Sequence, residues 1–340
     1  MANTQSLFPI LNSPPVSPLA RRAAEAQLDS IGHLTEYRAL QSRSLLTRVV
    51  SRRRLPFSHS INPYRGCEFG CRYCYARYTH EFLEFSPEEF ERKIYFKQNA
   101  AWLLQQELAR LKPGTEIALG TATDPYQPLE RKELITRSLL EVFARYSGFK
   151  LGIVTKSTLI ARDIDLLKEI AARNSLTVHI TVTTMKIGLA RILEPRAPRP
   201  DLRIRAVADL RRADLHAGVM CSPLMPGITD TRSSIAAVAR AAAAADANLF
   251  FAGALFLKPC SQPTFLNFVR EHFPDQLAAY ERRYSAGAFV SADYKKRVSE
   301  LVESIRREYK LGRRYREDEE WQDTFQDDKL VEAQPWLPFQ

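Results

Sequence analysis

The sequence of 340 residues contains only five cysteines, and it has no long run of apolar residues. The low cysteine count excludes the disulfide framework of small secreted domains, and it favours a reducing, cytoplasmic compartment. The longest apolar run, residues 247–257, is shorter than the roughly 20 residues needed to cross a bilayer, so no membrane partner is expected. The apolar residues 7–11 contain Pro9 and lack a preceding basic region, so they do not indicate a secretory signal.

The composition is that of a folded globular protein, with 45% apolar, 26% charged and 10% aromatic residues. These proportions exclude a disordered or collagen-like chain. The 49 Lys and Arg residues outnumber the 39 Asp and Glu residues, which gives a formal net charge of +10. This excess favours a polyanionic partner such as nucleic acid, but an ordinary basic enzyme can have the same balance.

Short apolar runs alternate with amphipathic segments from residue 58 onward, which is the pattern of a parallel α/β sheet. We predict six strands, at residues 58–62, 116–120, 150–155, 177–183, 216–221 and 249–256. The first intervening helix is expected to begin at Ser86 and continue to Leu111, and the others to cover residues 131–146, 160–173, 200–215 and 233–245. Six such βα units form an incomplete (βα)6 barrel of the TIM type.

The pattern divides the chain into three parts. Residues 1–54 are expected to form a partly disordered N-terminal extension, because they combine prolines with a Ser/Arg-rich stretch. Residues 55–260 form the barrel core. Residues 261–340 form a helical appendage and a tail, with one more helix marked by apolar residues between Tyr294 and Ile305.

Three of the five cysteines, Cys67, Cys71 and Cys74, lie within eight residues, directly after the first predicted strand. This spacing is too tight for a disulfide framework, and it indicates thiolates collected for a metal. Gly66 and Gly70 leave the backbone free to wrap around an object larger than one ion. A [4Fe–4S] cluster with three cysteine ligands keeps one iron open for a substrate or cofactor. Barrel enzymes carry their chemistry on such strand-end loops.

The CxxxCxxC spacing, with an aromatic residue before the last cysteine, resembles that of the radical S-adenosylmethionine (SAM) enzymes. The longer segment NPYRGCEFGCRYCYAR (62–77), followed by THE (79–81), resembles the branch related to spore photoproduct lyase. Further matches to that branch are TATDPYQP (121–128), TKS (155–157), LEPRAP (193–198) and PLMPG (223–227). The resemblance covers about residues 55–310 and keeps these motifs in order.

The resemblance implies an enzyme with a [4Fe–4S] cluster on Cys67, Cys71 and Cys74, and with SAM bound at the open iron. An electron from a reductant such as flavodoxin or ferredoxin would cleave SAM to methionine and a 5′-deoxyadenosyl radical, which abstracts hydrogen from a substrate. The protein would orient the cofactor and exclude water. Spore photoproduct lyases reverse a thymine dimer in DNA, so a lyase-type reaction on lesion-bearing DNA is one candidate function.

The resemblance also implies which residues bind SAM, most of them polar side chains after the second, third and fourth predicted strands. They are Thr121, Thr123 and Asp124 for the amino group, Lys156 and Ser157 for the carboxylate, Thr183 and Thr184 for the ribose, and Tyr73 for the adenine. A carboxylate accepts hydrogen bonds from an ammonium, while a lysine or a hydroxyl donates to a carboxylate. Threonines replace the family's glycine-rich segment after the second strand, so the amino-group contact departs from the family pattern.

Two further cysteines, Cys221 and Cys260, lie at the end of the fifth strand and after the sixth, where a substrate would bind. A buried cysteine usually acts as a small apolar side chain. A thiol is also a good hydrogen-atom donor to a substrate radical, so both residues are candidates for that role.

The alternative for the cysteine loop is a structural zinc site of the Cys3His type, with His80 as fourth ligand, in a non-enzymatic nucleic-acid-binding protein. Two groups of basic residues could follow a phosphate backbone in either case. They are residues 52–54 and the series Arg196, Arg199, Arg203, Arg205, Arg211 and Arg212. A solvated surface is the alternative for both groups.

Overall fold

The computed structural model describes residues 17–32, 34–49 and 55–312. The strands in these residues are β1 (Gln27–Ile31), β2 (Glu36–Leu40), β3 (Leu46–Arg48), β4 (His59–Ile61), β5 (Tyr64–Arg65), β6 (Lys93–Lys97), β7 (Glu116–Leu119), β8 (Lys150–Thr155), β9 (Ser175–Thr181), β10 (Ala217–Leu224) and β11 (Leu249–Ala254). The α-helices are α1 (Pro18–Glu25), α2 (Tyr78–Glu81), α3 (Ala100–Leu108), α4 (Glu130–Glu133), α5 (Ile135–Phe143), α6 (Ile164–Arg173), α7 (Ile187–Leu193), α8 (Pro200–Arg212), α9 (Arg232–Ala244), α10 (Gln262–His272), α11 (Leu277–Arg283) and α12 (Ala292–Glu308).

The main sheet contains seven strands in the order β11-β10-β9-β8-β7-β4-β3. Six of them, β4 and β7 to β11, run parallel, and each crossover between neighbours contains at least one helix. The short β3 pairs antiparallel with β4 at one edge. The predicted incomplete (βα)6 barrel is confirmed, and so are all six predicted strands.

Helices cover the outer face of the parallel strands, and apolar side chains fill the inside of the barrel. Both faces of the sheet are therefore buried. Ile61, Leu119, Ile153 and Val219 on four different strands are fully buried. The helix predicted near the C-terminus is also confirmed, as α12 contacts β11 and α9. No helix among residues 17–32, 34–49 and 55–312 is long and apolar enough to span a membrane.

A second sheet, in the order β1-β2-β6-β5, is not among the elements that the sequence predicts. In this sheet β2 runs parallel to β6, while β1 and β5 pair antiparallel at the two edges. Helix α1 contributes Ala23 to a small apolar cluster that includes Leu40 and Tyr95 of the sheet. Residues 17–49, apart from residue 33, thus contribute ordered elements. The division of the chain into extension, core and appendage stays a prediction, and residues 1–16 and 313–340 lie outside the described ranges.

The first predicted helix is wrong between residues 92 and 99. The capping box at Ser86 is present, but it begins only a 3-10 turn, Pro87–Glu91. The chain then forms β6, since the Ile-Tyr-Phe run at residues 94–96 favours a strand and pairs with both β2 and β5. The helix proper is α3, which starts at Ala100.

Candidate active site

The candidate residues follow the carboxyl ends of the parallel strands, which meet at one edge of the barrel. The cysteine loop, residues 66–74, follows β4 by way of the short β5. Residues 121–124 follow β7, residues 156–157 follow β8, and Thr183 follows β9. The parallel order of these strands therefore brings the predicted cluster ligands and the predicted SAM contacts to the same edge.

Cys67, Cys71 and Cys74 share the loop between β5 and a 3-10 turn at Tyr75–Arg77. Cys67 and Cys71 are buried, Cys74 is partly exposed, and all three are free thiols. Burial raises the pKa of each thiol, that of Cys71 to about 12. Such thiols stay protonated unless a metal replaces the proton on sulfur, because the thiolate is the form that binds metals.

Gly66 directs the chain into this loop. Its φ angle is +79°, and a Cβ at this position would lie 2.6 Å from the carbonyl oxygen of Lys93 and 2.8 Å from that of Phe90. The Cys67 N–H donates a hydrogen bond to the same Phe90 carbonyl at 3.0 Å. Only glycine combines this left-handed backbone with so close an approach to β6 and the turn before it.

Two buried polar side chains attach the cysteine loop to the loop after β7. The side chain of Gln127 accepts a hydrogen bond from the Glu68 N–H at 3.0 Å and donates one to the Gly66 carbonyl at 3.3 Å. The Glu68 carboxylate accepts from the Leu129 N–H at 3.0 Å and from the Tyr37 hydroxyl at 2.8 Å. The protein's own hydrogen bonds thus hold the loop, through residues that sequence reasoning did not single out.

A buried charged network contacts Tyr73, the aromatic residue before the last cysteine. Glu194 forms an ion pair with Arg203, with 2.6 Å between Oε2 and Nη2, and both side chains are almost fully buried. The other oxygen of Glu194 accepts hydrogen bonds from the Tyr73 hydroxyl and, at 3.2 Å, from Thr183. Burial would raise the pKa of Glu194, but Arg203 and Lys156 hold it below the usual value. Only the LEPRAP match pointed to Glu194, without a role.

Lys156 brings a positive charge to this network. Its ammonium lies 5.6 Å from the centre of the Tyr73 ring. Burial lowers the pKa of Lys156, but the nearby Cys71 and Glu194 raise it more, so the side chain is a cation at neutral pH. Lys156, which is predicted to bind the carboxylate of SAM, therefore lies beside the cysteine loop.

Asp124 connects the loop after β7 to the end of β8. Its carboxylate accepts hydrogen bonds from the Thr155 hydroxyl at 2.6 Å, from the Lys156 N–H at 2.7 Å and from the Tyr126 N–H at 2.9 Å. Each carboxylate oxygen has two lone pairs, so a further contact with an ammonium is compatible with these bonds. The role of Asp124 toward the SAM amino group stays a prediction.

The hydroxyl groups of the other predicted SAM contacts are engaged within the protein. The Thr121 hydroxyl accepts from Asn62 at 3.2 Å, Thr123 donates to the Tyr64 carbonyl at 3.2 Å, Ser157 accepts from the Leu159 N–H at 3.2 Å, Thr183 donates to Glu194 at 3.2 Å, and Thr184 accepts from the Lys186 N–H at 3.1 Å. These bonds stabilise the strand-end loops, and direct contacts with SAM stay predictions.

Comparisons with known proteins identify the family of this chain. A family model described as the radical SAM superfamily matches residues 61–238, more than half of the chain. The chain belongs to the radical SAM superfamily. It is similar to the uncharacterized protein Rv2578c of Mycobacterium tuberculosis, with 31% identity over 296 residues that cover 86% of each chain. The uncharacterized protein MJ0683 of Methanocaldococcus jannaschii is 26% identical over 247 residues, which cover 73% of this chain and 85% of that one.

A solved structure of spore photoproduct lyase complexed with dinucleoside spore photoproduct is also similar. The TM-score is 0.61 at 14% sequence identity, and the match covers 83% of this chain and 85% of that chain. At this identity the likeness shows the fold alone. This radical SAM enzyme therefore has the fold of spore photoproduct lyase, as the sequence motifs predicted.

Membership of the superfamily implies a [4Fe–4S] cluster and SAM, and the residues present fit both groups. Three free thiols stand in one loop, and the partly exposed Lys156 lies near them. Thiolates are the usual ligands of iron–sulfur clusters, and an ammonium is a suitable partner for the carboxylate of SAM.

The two remaining cysteines of this radical SAM enzyme have different surroundings. Cys221 on β10 is completely buried, and its Sγ lies 3.9 Å from the backbone carbonyl oxygen of Thr183, the candidate ribose contact. Cys260 is partly exposed, and its Sγ lies 4.0 Å from the Tyr75 carbonyl. The adjacent Ser261 donates a hydrogen bond to the Cys74 carbonyl at 2.7 Å. Cys260 therefore lies beside the cysteine loop, whereas Cys221 belongs to the packed interior.

The zinc alternative has no support, because His80 does not join the cysteines. His80 is completely buried, its Nε2 lies 3.0 Å from the Lys93 carbonyl oxygen, and its ring packs against Phe85 and Phe90. Among the described residues, no three His, Cys, Asp or Glu side chains are arranged to hold one metal ion. Cysteines that bind different irons of a cluster need not converge on a single point.

The arginine series between residues 196 and 212 does not form one exposed surface. Arg203 is buried in its ion pair, and Arg196 donates to the carbonyls of Glu68 and Glu91 at 3.3 and 3.2 Å. Arg211 donates to the Leu215 carbonyl at 2.8 Å. The prediction that the series follows a phosphate backbone is therefore wrong for the buried Arg203, and it stays a prediction for the other arginines. Residues 52–54 lie outside the described part of the chain.

Proposed function

We propose that this enzyme binds a [4Fe–4S] cluster through Cys67, Cys71 and Cys74, and that it uses SAM to abstract hydrogen from a substrate. The observation that carries the proposal is the group of three free thiols in a single loop at the carboxyl edge of the barrel. A cluster bound there supplies the electron that cleaves SAM to methionine and a 5′-deoxyadenosyl radical. The reductant is a small electron carrier such as flavodoxin or ferredoxin.

The protein's own contribution is to orient SAM and to exclude water from the site. Lys156 has the charge and the place to bind the SAM carboxylate, because its ammonium lies at the Tyr73 ring and near Cys71. Tyr73 is held in place by Glu194, so its ring offers a fixed surface for the adenine. Asp124 is the candidate acceptor for the amino group, and Thr183 is the candidate contact for the ribose.

Cys260 is the better placed of the two candidate hydrogen donors. Its thiol is partly exposed beside the cysteine loop, whereas Cys221 is enclosed by the core. In this role a hydrogen atom passes from Sγ to a substrate radical, and the unpaired electron remains on the Cys260 sulfur. Deuterium incorporation into the product, compared between wild type and Cys260→Ala, measures this transfer, and an unchanged pattern argues against it.

The proposed substrate is nucleic acid, with lesion-bearing DNA as the specific candidate for a lyase-type reaction. Two observations favour it: the net charge of +10, and the likeness in fold to spore photoproduct lyase. Binding of ultraviolet-irradiated DNA should weaken steeply as salt rises, because counterions are released from the phosphates. Absent or salt-independent binding would point to a protein or metabolite substrate instead.

Anaerobic reconstitution with iron and sulfide, followed by dithionite and SAM, tests the cluster chemistry. The wild type is expected to show visible iron–sulfur absorption and to form 5′-deoxyadenosine. Cys71→Ala should lose both properties, since two thiolates do not hold the cluster in place. Cys221→Ala is the matched control for iron content, because this cysteine lies outside the loop. Turnover by Cys71→Ala, or a colourless wild type that carries stoichiometric zinc, contradicts the proposal.

A further inference from the structure

Three cationic side chains meet on one face of the small sheet. Arg65 on β5 lies opposite Tyr95 on β6, and Lys97 lies two residues further along β6, so Lys97 and Arg65 share a face. Helix α1 covers this face through Ala23, which belongs to the same apolar cluster as Tyr95. The helix brings Arg22 close enough to Arg65 for the two charges to repel each other. The fold thus gathers three positive charges from three separate elements.

The two arginines have donors that no described residue satisfies. Nε of Arg65 and both Nε and Nη1 of Arg22 are buried without a hydrogen-bond partner. Lys97 is only 7% exposed, and within the described residues its ammonium has no hydrogen bond and no ion pair. A buried donor without an acceptor destabilises the folded protein, and a charged donor does so more strongly. Two arginines with unsatisfied buried donors, one of them next to a lysine that is 7% exposed, therefore call for an anionic acceptor.

Among the described residues, no carboxylate forms an ion pair with these three side chains. Glu107 is the acid that interacts with Lys97, but its oxygens already accept hydrogen bonds from the N–H groups of Leu45 at 3.0 Å and Leu46 at 2.7 Å. Burial, with added repulsion from Arg65, lowers the pKa of Lys97 to about 7. Arg65 therefore repels both Arg22 and Lys97 in a partly dry environment, and Glu107 offsets only part of the charge of Lys97.

We propose that Arg22, Arg65 and Lys97 form a binding site for a phosphate group. Phosphate offers several acceptor oxygens and a negative charge to donors that come from different directions. Arginine forks and a lysine ammonium are the side chains that proteins use for this recognition. A bound phosphate satisfies the buried N–H groups and neutralises their mutual repulsion.

The phosphate site adjoins the candidate active site. Arg65 stands two residues before Cys67, and it interacts electrostatically with Tyr78. Tyr78 in turn interacts with Cys260, and the Lys258 ammonium lies 3.6 Å from the Tyr78 ring centre. A ligand that extends from Cys260 across Tyr78 would thus place a phosphate at Arg65. We assign the site to the phosphodiester backbone of the substrate; this assignment rests on the proposed function, whereas phosphate binding itself does not.

The test compares Arg22→Gln and Lys97→Met with Arg307→Gln. Arg307 is the matched charge control, because it is 74% exposed on α12 and pairs with Glu303. Inorganic phosphate, added at constant ionic strength, is expected to raise the Tm of wild type and of the control but not that of either site variant. The affinity for a fluorescein-labelled single-stranded oligonucleotide, measured by anisotropy, should fall about tenfold in the site variants, as expected when one charged hydrogen-bonding partner is lost.

The Tm without phosphate separates a binding role from a structural one. Lys97→Met keeps the aliphatic volume and removes a buried, unpaired ammonium, so it should raise the Tm of the phosphate-free protein. If Lys97 instead stabilises the fold, Lys97→Met should lower the Tm of the phosphate-free protein. A lower Tm for Lys97→Met, together with an unchanged phosphate effect, overturns the proposal.

Two further outcomes distinguish the source of the phosphate from a general effect of charge. If the variants lose the phosphate effect but bind the oligonucleotide like wild type, the site is supported and its phosphate belongs to a mononucleotide, for which adenosine monophosphate is the probe. If Arg307→Gln loses binding to the same extent, general charge explains the data and the site is refuted. Formation of 5′-deoxyadenosine by the wild type is measured in parallel, so a failure of the proposed function is distinguishable from a failure of the phosphate site.

Discussion

Glu194 and Arg203 form an ion pair of 2.6 Å inside the barrel, and the second oxygen of Glu194 accepts the hydrogen bond of the Tyr73 hydroxyl. The pair connects α8 to the cysteine loop, because Arg203 belongs to α8 and Tyr73 stands between two cysteines. Buried ion pairs add little stability compared with apolar side chains of the same volume. The benefit of this pair is therefore positional, since it fixes Tyr73 beside the candidate SAM pocket.

Removal of one partner of this pair is expected to be costly. Glu194→Gln should lower the free energy of unfolding by about 3–5 kcal/mol, because Arg203 stays buried without its counter-charge. Chemical denaturation measures the loss. Glu141→Gln, in an exposed pair with Arg137, is the control and should cost less than about 1 kcal/mol.

The double variant Glu194→Gln, Arg203→Met should recover a large part of this loss, because both charges are then absent from the interior. If Glu194→Gln is no less stable than the Glu141→Gln control, the loss of this ion pair does not lower the free energy of unfolding as predicted.

Gly66 and Gly114 allow the steric requirement of the cysteine loop to be separated from backbone strain. Both have positive φ angles, +79° and +83°, but only at Gly66 would a Cβ meet neighbouring atoms. Gly114→Ala should cost about 1–2 kcal/mol, the penalty of a left-handed non-glycine residue. Gly66→Ala should cost more and also lower the iron content after reconstitution. Equal losses of stability, with full iron content in both variants, would contradict this account of the loop.

The barrel was predictable from the sequence because its strands are short apolar runs between amphipathic helices. The small sheet was not, because β1 is almost entirely exposed and β2 is partly exposed at four of its five residues, so neither shows the pattern of a buried strand. Ile94 of β6 also fits the apolar stripe of the following helix. Residues 93–97 form a strand rather than a helix because β6 pairs with β2 and β5. Local patterns therefore identify buried parallel strands better than partly exposed ones.

The candidate site was predictable where a motif marks it and hidden where contacts are long-range. The three cysteines and Lys156 follow from their motifs and their places after strands. The roles of Gln127 and Glu194 do not, since their partners Glu68 and Tyr73 are 59 and 121 residues away in the chain. Nothing in a local pattern shows which distant backbone or hydroxyl group a buried polar side chain will meet.

Lys156 should be needed for SAM binding and not for cluster binding. Lys156→Gln is expected to raise the SAM concentration for half-maximal 5′-deoxyadenosine formation by about tenfold or more, since a charged hydrogen bond contributes roughly 1.5–3 kcal/mol. Lys150→Gln is the matched control, because Lys150 begins strand β8, at the end away from Lys156, and pairs with Glu116. Iron content should stay at the wild-type value in both variants. An unchanged SAM dependence in Lys156→Gln would remove Lys156 from the pocket.

His80 should make the stability of the protein depend on pH. The ring is completely buried, and burial lowers its pKa to about 4, against roughly 6.5 for an unfolded histidine. The unfolded state therefore binds a proton at a higher pH than the native state does. The stabilising contribution of the neutral ring is fully present above about pH 6.5 and is lost as the pH falls toward 4. At about 1.4 kcal/mol for each pKa unit, the total is about 3 kcal/mol.

The variant His80→Gln isolates this contribution from that of the carboxylates, which titrate in the same range. Urea denaturation between about pH 7 and pH 4.5 should show a shallower fall in the free energy of unfolding for His80→Gln than for wild type. His272→Gln, at a partly exposed histidine, is the matched control for replacing a histidine by glutamine. Parallel curves for wild type and His80→Gln would mean that His80 takes up its proton in the native state as readily as in the unfolded chain, and that the buried neutral ring is not what protects the fold near neutral pH.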